Sequence, residues 1–247
     1  MLIRNKHLPK KPLSNDIFLV EYPKSGITWL CFLISNSIIS NENNNSIKVT
    51  FYNIQQLISD VHMSRDVPIK NLWNTNTPRF IKSHYKYKQD YSNIIYLVRD
   101  PLSVMTSYYN YLSGLGKLNC SFFDFVRSKE YGIDRWIDHV NSWTKSIKNG
   151  QRLHIVKYEE LISNPQATLE NLFNNVGIKI SSDAIISAIK SSSLIEMKKQ
   201  ERIYRNHNPF YHLNFVRKGG NNSDDVDSIV KDYVERKTKN IIRSLEL

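Results

Sequence analysis

The chain has 247 residues, with 34 Lys and Arg against 23 Asp and Glu, a formal net charge of +11 at pH 7. At roughly 100 to 200 residues per domain, and with α/β folds running to about 250, this length suits one domain with a sizeable core. A composition 40% hydrophobic and 11% aromatic, with only 8 Gly and 8 Pro, excludes a disordered, collagen-like or low-complexity chain.

In chain order, residues 1–16 form a basic segment carrying Arg4, Lys6, Lys10 and Lys11, and residues 17–247 read as a single domain. The leading charges are not followed by an apolar stretch, so no secretory signal is read there. Residues 17–22, IFLVEY, read as a short strand ending at Pro23. A KSG turn leads into a helix in which Trp29, Leu30, Leu33, Ile34, Ser37 and Ile38 keep helical spacing. The run Trp29 to Ile34 is the longest uninterrupted apolar stretch, far short of the roughly 18 residues a membrane span needs.

The polar stretch 41–46 breaks the chain, and 49–77 is expected to hold one short helix around Ile54 to Ser59 and then loop. RFIKS, 79–83, reads as a strand whose end carries Lys82 and His84, and NIIYLV, 93–98, as a buried strand. Asp100 and Pro101 are a preferred N-cap and first helical residue, so a helix should start there with Val104, Met105, Tyr108, Tyr111 and Leu112 on one face. LHIVK, 153–157, is the next strand, and Asn164 and Pro165 open a helix with Leu169, Leu172, Phe173 and Val176 inward and Gly177 at its end. A last helix is expected near Asp227 to Lys237. Strands alternating with helices predict a single α/β domain with a central parallel sheet flanked by helices and a P-loop-like phosphate-binding loop.

Cys31 and Cys120 stand far apart with no CxxC, which excludes a disulfide scaffold and a zinc module and makes the cytoplasm the expected address. The sharpest chemical signal is Tyr22-Pro23-Lys24-Ser25-Gly26-Ile27-Thr28-Trp29 between strand and helix. Amides of a tight Gly-containing loop, added to the positive end of a helix dipole, make an anion site, and Lys24 supplies a point charge. A nucleotide-triphosphate loop needs Lys after its last Gly with Ser/Thr next to hold Mg²⁺; here Lys precedes Ser-Gly and the first Gly is missing.

YPKSGITW resembles the 5'-phosphosulfate loop, commonly YPKSGTTW, of the sulfotransferases that use 3'-phosphoadenosine 5'-phosphosulfate (PAPS). Arg99-Asp100-Pro101, with Ser107 and Tyr108 beyond, is similar to that family's 3'-phosphate motif, and Phe215-Val216-Arg217-Lys218-Gly219 to its C-terminal FxRKG element. Tyr131-Gly132 with His139 and Trp143, then Tyr158-Glu159-Glu160-Leu161, then Ser192-Ser193-Leu194-Ile195-Glu196-Met197 follow in the family's order. The resemblance spans about Ile17 to Gly219 and is closest to the soluble, cytosolic-type, small-molecule enzymes.

The resemblance implies sulfuryl transfer from PAPS, leaving PAP, to a small-molecule or glycan acceptor bearing a hydroxyl or amine, with no metal, no nucleic-acid partner and no membrane span. His84 matches the family's general base, and an imidazole suits that task at neutral pH. Lys24 is implied as the electrophilic partner of the departing phosphate oxygen. Lys82 is expected to face the sulfuryl group beside His84, and Ser107 to hold the 3'-phosphate and engage Lys24. The donor set implied is Lys24, Ser25, Gly26, Ile27, Thr28, Trp29, Arg99, Ser107, Tyr158, Ser192, Leu194, Arg217, Lys218 and Gly219, with Trp29 stacking on the adenine. Histidines 7, 62, 139, 154, 207 and 212 read as solvated or packed.

The chain departs from the family in two places. Ile27 stands where the family usually has Thr, leaving only backbone amides there, and the stretch after Gly219 lacks the second motif Gly and the Trp. No copy of the family's Lys-x-x-x-Thr-Val-x-x-x-Glu dimer segment is found, so monomer and homodimer stay open. So do two rival functions: a P-loop nucleotide kinase and a non-enzymatic polyanion-binding protein. Acceptor-reading loops are expected at 41–77, 85–92, 114–120 and 203–213.

Overall fold

The structure, a computed structural model, describes residues 12–44, 46–62, 77–208 and 226–247. Its strands are β1 (Ile17–Glu21), β2 (Ser59–Asp60), β3 (Phe80–Ser83), β4 (Asn93–Val98) and β5 (Arg152–Lys157). Its helices are α1 (Ile27–Asn41), α2 (Ile54–Leu57), α3 (Pro101–Gly114), α4 (Phe122–Arg127), α5 (Ile133–Thr144), α6 (Tyr158–Ser163), α7 (Pro165–Asn175), α8 (Ser182–Ser191), α9 (Leu194–Asn206) and α10 (Ser228–Leu245).

The five strands form one wholly parallel sheet in the order β2-β3-β1-β4-β5, as the alternation of strands and helices predicts. Side chains alternate across a strand, and each face of the sheet has its own core. Ile17 and Leu19 of β1 join the cluster built with α1, α7 and α8, while Phe18 and Val20 join the one built with α3, α4, α5 and α10. β1 is the hinge of this arrangement: the chain leaves it over one face through α1, then leaves its neighbour β4 over the other through α3. A parallel sheet opens a crevice at the carboxyl ends of such a strand pair, where ligands bind.

Local signals explain most boundaries. Asp100 caps α3 by accepting from the Ser103 amide at 2.6 Å, with Pro101 at the first helical position. Gly177, at φ 73°, follows α7 as the Asn164-Pro165 start and Gly end predict. The last helix runs on past Lys237 to Leu245 and starts where Asp227 accepts from the Ile229 amide.

Three expectations need correcting. The helix expected to reach Ser59 stops at Leu57, because Ile58 is extended and Ser59 instead pairs with Ile81 as strand β2. The chain enters α6 directly from β5, so Asn164 both ends α6 and precedes α7. Between α3 and β5, and again between α7 and α10, the described chain is mostly helical, whereas no helices were expected there. Helix α5 presents Ile133, Trp136, Val140 and Trp143 to the core, and all four are buried.

Candidate active site

The loop after β1 departs from ordinary backbone at two residues. Lys24 has φ 78°, a region that costs a side chain about 1–3 kcal/mol, and Gly26 has φ 113°. A Cβ at Gly26 would also lie 2.6 Å from the Tyr158 ring, so only glycine fits both the conformation and the space. Ser25 is buried and ties the turn shut, its amide and hydroxyl both donating to the Tyr22 carbonyl, at 3.2 and 2.9 Å. Ile27 turns its side chain into the core and donates its amide to Glu21 Oε2 at 2.8 Å. Thr28 and Trp29 follow in the first turn of α1, both partly buried.

Several expected residues meet around this loop. The Arg99 guanidinium lies over the Tyr158 ring, 4.2 Å from its centroid, and reaches toward the Lys24 carbonyl at 3.5 Å. Tyr158 meets Trp29 edge-on, with centroids 5.8 Å apart, and the Trp29 indole donates to the Ser192 carbonyl at 2.9 Å. Lys24 Nζ sits 4.2 Å from the Tyr111 centroid on α3, one turn beyond the buried Ser107. Cationic Lys24 and Arg99 thus flank the crevice between β1 and β4, beside the α1 N-terminus, a combination suited to an anion. Ser192, fully buried, accepts from Asn36 through its hydroxyl at 3.0 Å. Leu194 is exposed at the start of α9. Arg217, Lys218 and Gly219 lie outside the described residues.

The other half of the site gathers on the α1 face, at the carboxyl ends of β1, β2 and β3. Parallel pairing sets Leu19 beside Lys82 and Val20 beside Ser83, so the next step puts Glu21 beside His84. On the other side Lys82 is the register partner of Asp60, and Lys82 Nζ bonds Asp60 Oδ2 at 2.9 Å. Burial works to lower the Lys82 pKa, but the adjacent carboxylate overrides it and holds the ammonium above its ordinary value. Asp60 is buried too, yet Lys82 pulls it below the usual carboxylate range.

His84 is held at three points. Its amide donates to His62 Nε2 at 2.8 Å. Its carbonyl accepts from His139 Nε2 at 3.2 Å, while His139 Nδ1 accepts from the Tyr96 hydroxyl at 2.8 Å. Its own Nδ1 faces the Glu21 carbonyl at 3.4 Å and Glu21 Oε1 at 3.7 Å. Burial, then the charge of Lys82, lowers the His84 pKa to about 3, so the ring is neutral at physiological pH and one of its nitrogens keeps a lone pair. Burial likewise lowers His139 to about 4.

Sequence reasoning did not pick out Glu21, Asp60 or His62. Glu21 lies inside the apolar run read as a strand. Asp60 lies in a two-residue strand, too short for any periodicity. His139 is packed as expected, and its position in the YG-H-W stretch was the available signal for its link to His84. Among the described residues no group of His, Cys, Asp and Glu could hold a metal ion, and no helix is long and apolar enough to cross a membrane.

Comparison with known proteins bears on this geometry. The family model described as "Sulfotransferase domain" matches residues 14–236. The chain is similar to sulfotransferase 1E1 of Bos taurus, 31% identical over 201 residues that cover 74% of this chain and 66% of that one. Its fold is similar to that of retinol dehydratase, solved in complex with androsterone and inactive cofactor PAP, with a TM-score of 0.70 at 19% identity, covering 94% of this chain and 82% of that one. It is also similar to mouse sulfotransferase SULT7A1 complexed with PAP, with a TM-score of 0.65 at 23% identity, covering 96% and 88%.

Proposed function

The chain belongs to the sulfotransferase family, and on that premise we propose that it transfers a sulfuryl group from PAPS to a hydroxyl or amine of a small-molecule or glycan acceptor. The observation that carries this reading is the convergence of Lys24, Arg99 and the α1 N-terminus on one crevice, with neutral His84 at the neighbouring strand end. PAP in the solved relatives supports a nucleotide of this kind as the ligand. Bound PAPS supplies a sulfuryl group on a phosphate that departs as its sulfur–oxygen bond breaks and the bond to the acceptor oxygen or nitrogen forms.

The chain's residues divide the remaining work. Lys24, on its strained loop, offers positive charge to the departing phosphate oxygen. Arg99 and Ser107 hold the 3'-phosphate, Arg99 lying over the Tyr158 ring. Trp29, fixed by its bond to the Ser192 carbonyl, offers its face to the adenine. Arg217, Lys218 and Gly219, outside the described residues, belong to the same donor set, and Ser25, Gly26, Ile27 and Thr28 shape the loop around the 5'-phosphosulfate. His84 takes the acceptor proton on Nε2, the nitrogen turned away from Glu21. Lys82 stays charged through Asp60 and favours transfer by stabilising negative charge beside the base.

The test is transfer of labelled sulfuryl from PAPS to a panel of phenols, steroids, amines and sugars, with a chelator present. Labelled product with at least one class supports the reading. Transfer of a γ-phosphoryl group from ATP that needs Mg²⁺, with no sulfuryl transfer, overturns it.

A further inference from the structure

β1 is apolar until its last residue, Glu21, which is 3% exposed. A carboxyl group is costly to bury without partners, and Lys82, the nearest cation along the strands, gives its bond to Asp60. Glu21 instead faces two parts of the active site at once. Oε2 accepts from the amide of Ile27, the first residue of α1, at 2.8 Å. Oε1 lies 3.7 Å and the backbone oxygen 3.4 Å from His84 Nδ1. The backbone oxygen can only accept, so Nδ1 is the nitrogen that carries the hydrogen and Nε2 keeps its lone pair.

We propose that Glu21 is a positioning residue for His84: its backbone oxygen fixes the Nδ1–H tautomer, and its carboxyl group, bonded to the Ile27 amide of the donor-binding loop and 3.7 Å from Nδ1, stabilises the imidazolium formed when Nε2 takes the acceptor proton. This role rests on the sulfuryl-transfer reading. His62 and His139 hold the backbone of His84 on either side, so its ring is the part left for Glu21 to orient.

The role makes turnover sensitive to pH in a definite direction. Burial raises the Glu21 pKa to about 7, against the lowering influence of Lys82, the Ile27 amide and Lys24. The other groups facing it are His84 at the end of β3, Cys31 on α1, Tyr96 on β4 and Tyr158 on α6, with Asp60 behind Lys82 and Arg99 across the Tyr158 ring. Cys31 and both tyrosines are pushed up, so they stay neutral over the range in question. Above the Glu21 pKa the carboxylate is charged and favours the imidazolium. Below it the carboxyl is neutral and that support is gone, so kcat should fall as pH drops through about 7.

Two measurements test the role. In Glu21→Gln the side-chain oxygen can still accept from the Ile27 amide while the charge is lost. PAP affinity and the melting temperature should stay near wild type, kcat should fall at least about tenfold, and the step near pH 7 should vanish. Wild-type kcat with an unchanged pH profile overturns the role. The second measurement needs no variant. Nitrogen NMR of imidazole-labelled wild-type protein from about pH 5.5 to about pH 8.5 should show His84 neutral with Nδ1 protonated, and a shift of Nδ1 near pH 7 reporting Glu21. A His84 ring protonated on Nε2 overturns the role even if Glu21→Gln does not fold. Absence of sulfuryl transfer by the wild-type protein overturns the underlying reading, a result that neither the variant nor the tautomer can mimic.

Discussion

The two halves of the active site are built on opposite principles. The loop half, from Tyr22 to Trp29 with Arg99 and Tyr158, is made by contiguous sequence and backbone geometry: two residues at positive φ, a helix N-terminus, and an aromatic ring that leaves room only for glycine. The base half is made by side chains from distant segments, with Glu21, Asp60, His62, Lys82, His84 and His139 brought together by sheet register and by α5. The loop half offers an anion the fixed charges of Lys24 and Arg99 beside the α1 N-terminus, while its Ser25 and Ile27 amides are taken by Tyr22 and Glu21. The base half must keep several ionisable groups buried beside one another, so its properties depend on which of them hold protons.

That difference predicts how each half fails. His84→Ala should have the largest effect: turnover falls by about 10² to 10⁴ while PAP affinity, which belongs to the loop half, stays near wild type. Equal loss of both would show that the halves are not separable. Next comes Asp60→Asn, which leaves the Lys82 ammonium buried without its carboxylate. Breaking a buried pair costs about 3 kcal/mol, so the melting temperature should drop by roughly 6 to 12 °C. An unchanged melting curve would mean that the pair contributes nothing net to the folded state. The smallest effect is expected from Asp100→Ala at the head of α3, which loses the bond to the Ser103 amide. About 1 kcal/mol of helix capping, read as a few degrees of melting temperature, should come with little change in turnover.

The same contrast explains what the sequence made legible. The β1 loop, the Asp100-Pro101 start of α3 and the five-residue run of β4 core residues were readable because each is a local signal, satisfied within a few positions. Helices α8 and α9 had local signals as well. Ser181 and Ser193 are N-caps whose side chains accept from the Ala184 and Glu196 amides, and Ser-x-x of this kind is a start signal. The tryptophans at 136 and 143 carried the helical spacing of α5.

The base half left no such trace. A lone Glu at the end of IFLVE gains its meaning only when Val20 pairs with Ser83 and brings His84 alongside. Asp60 gains its meaning only from the register that sets it against Lys82. Parallel pairing joins segments separated by a crossover, so neither contact has a period or spacing that could announce it. Lys82 and His84 were visible as residues two apart on one strand, and their charge partners were not.

The central claim is that the crevice between β1 and β4 takes a PAPS-type nucleotide without a metal, and titration calorimetry with PAP in the presence of a chelator tests it most directly. The account predicts saturable binding to the wild-type protein, weakened by about tenfold or more in Arg99→Ala, as loss of a charge-assisted contact to phosphate requires. No binding to the wild-type protein, or binding that appears only when Mg²⁺ is restored, would contradict it.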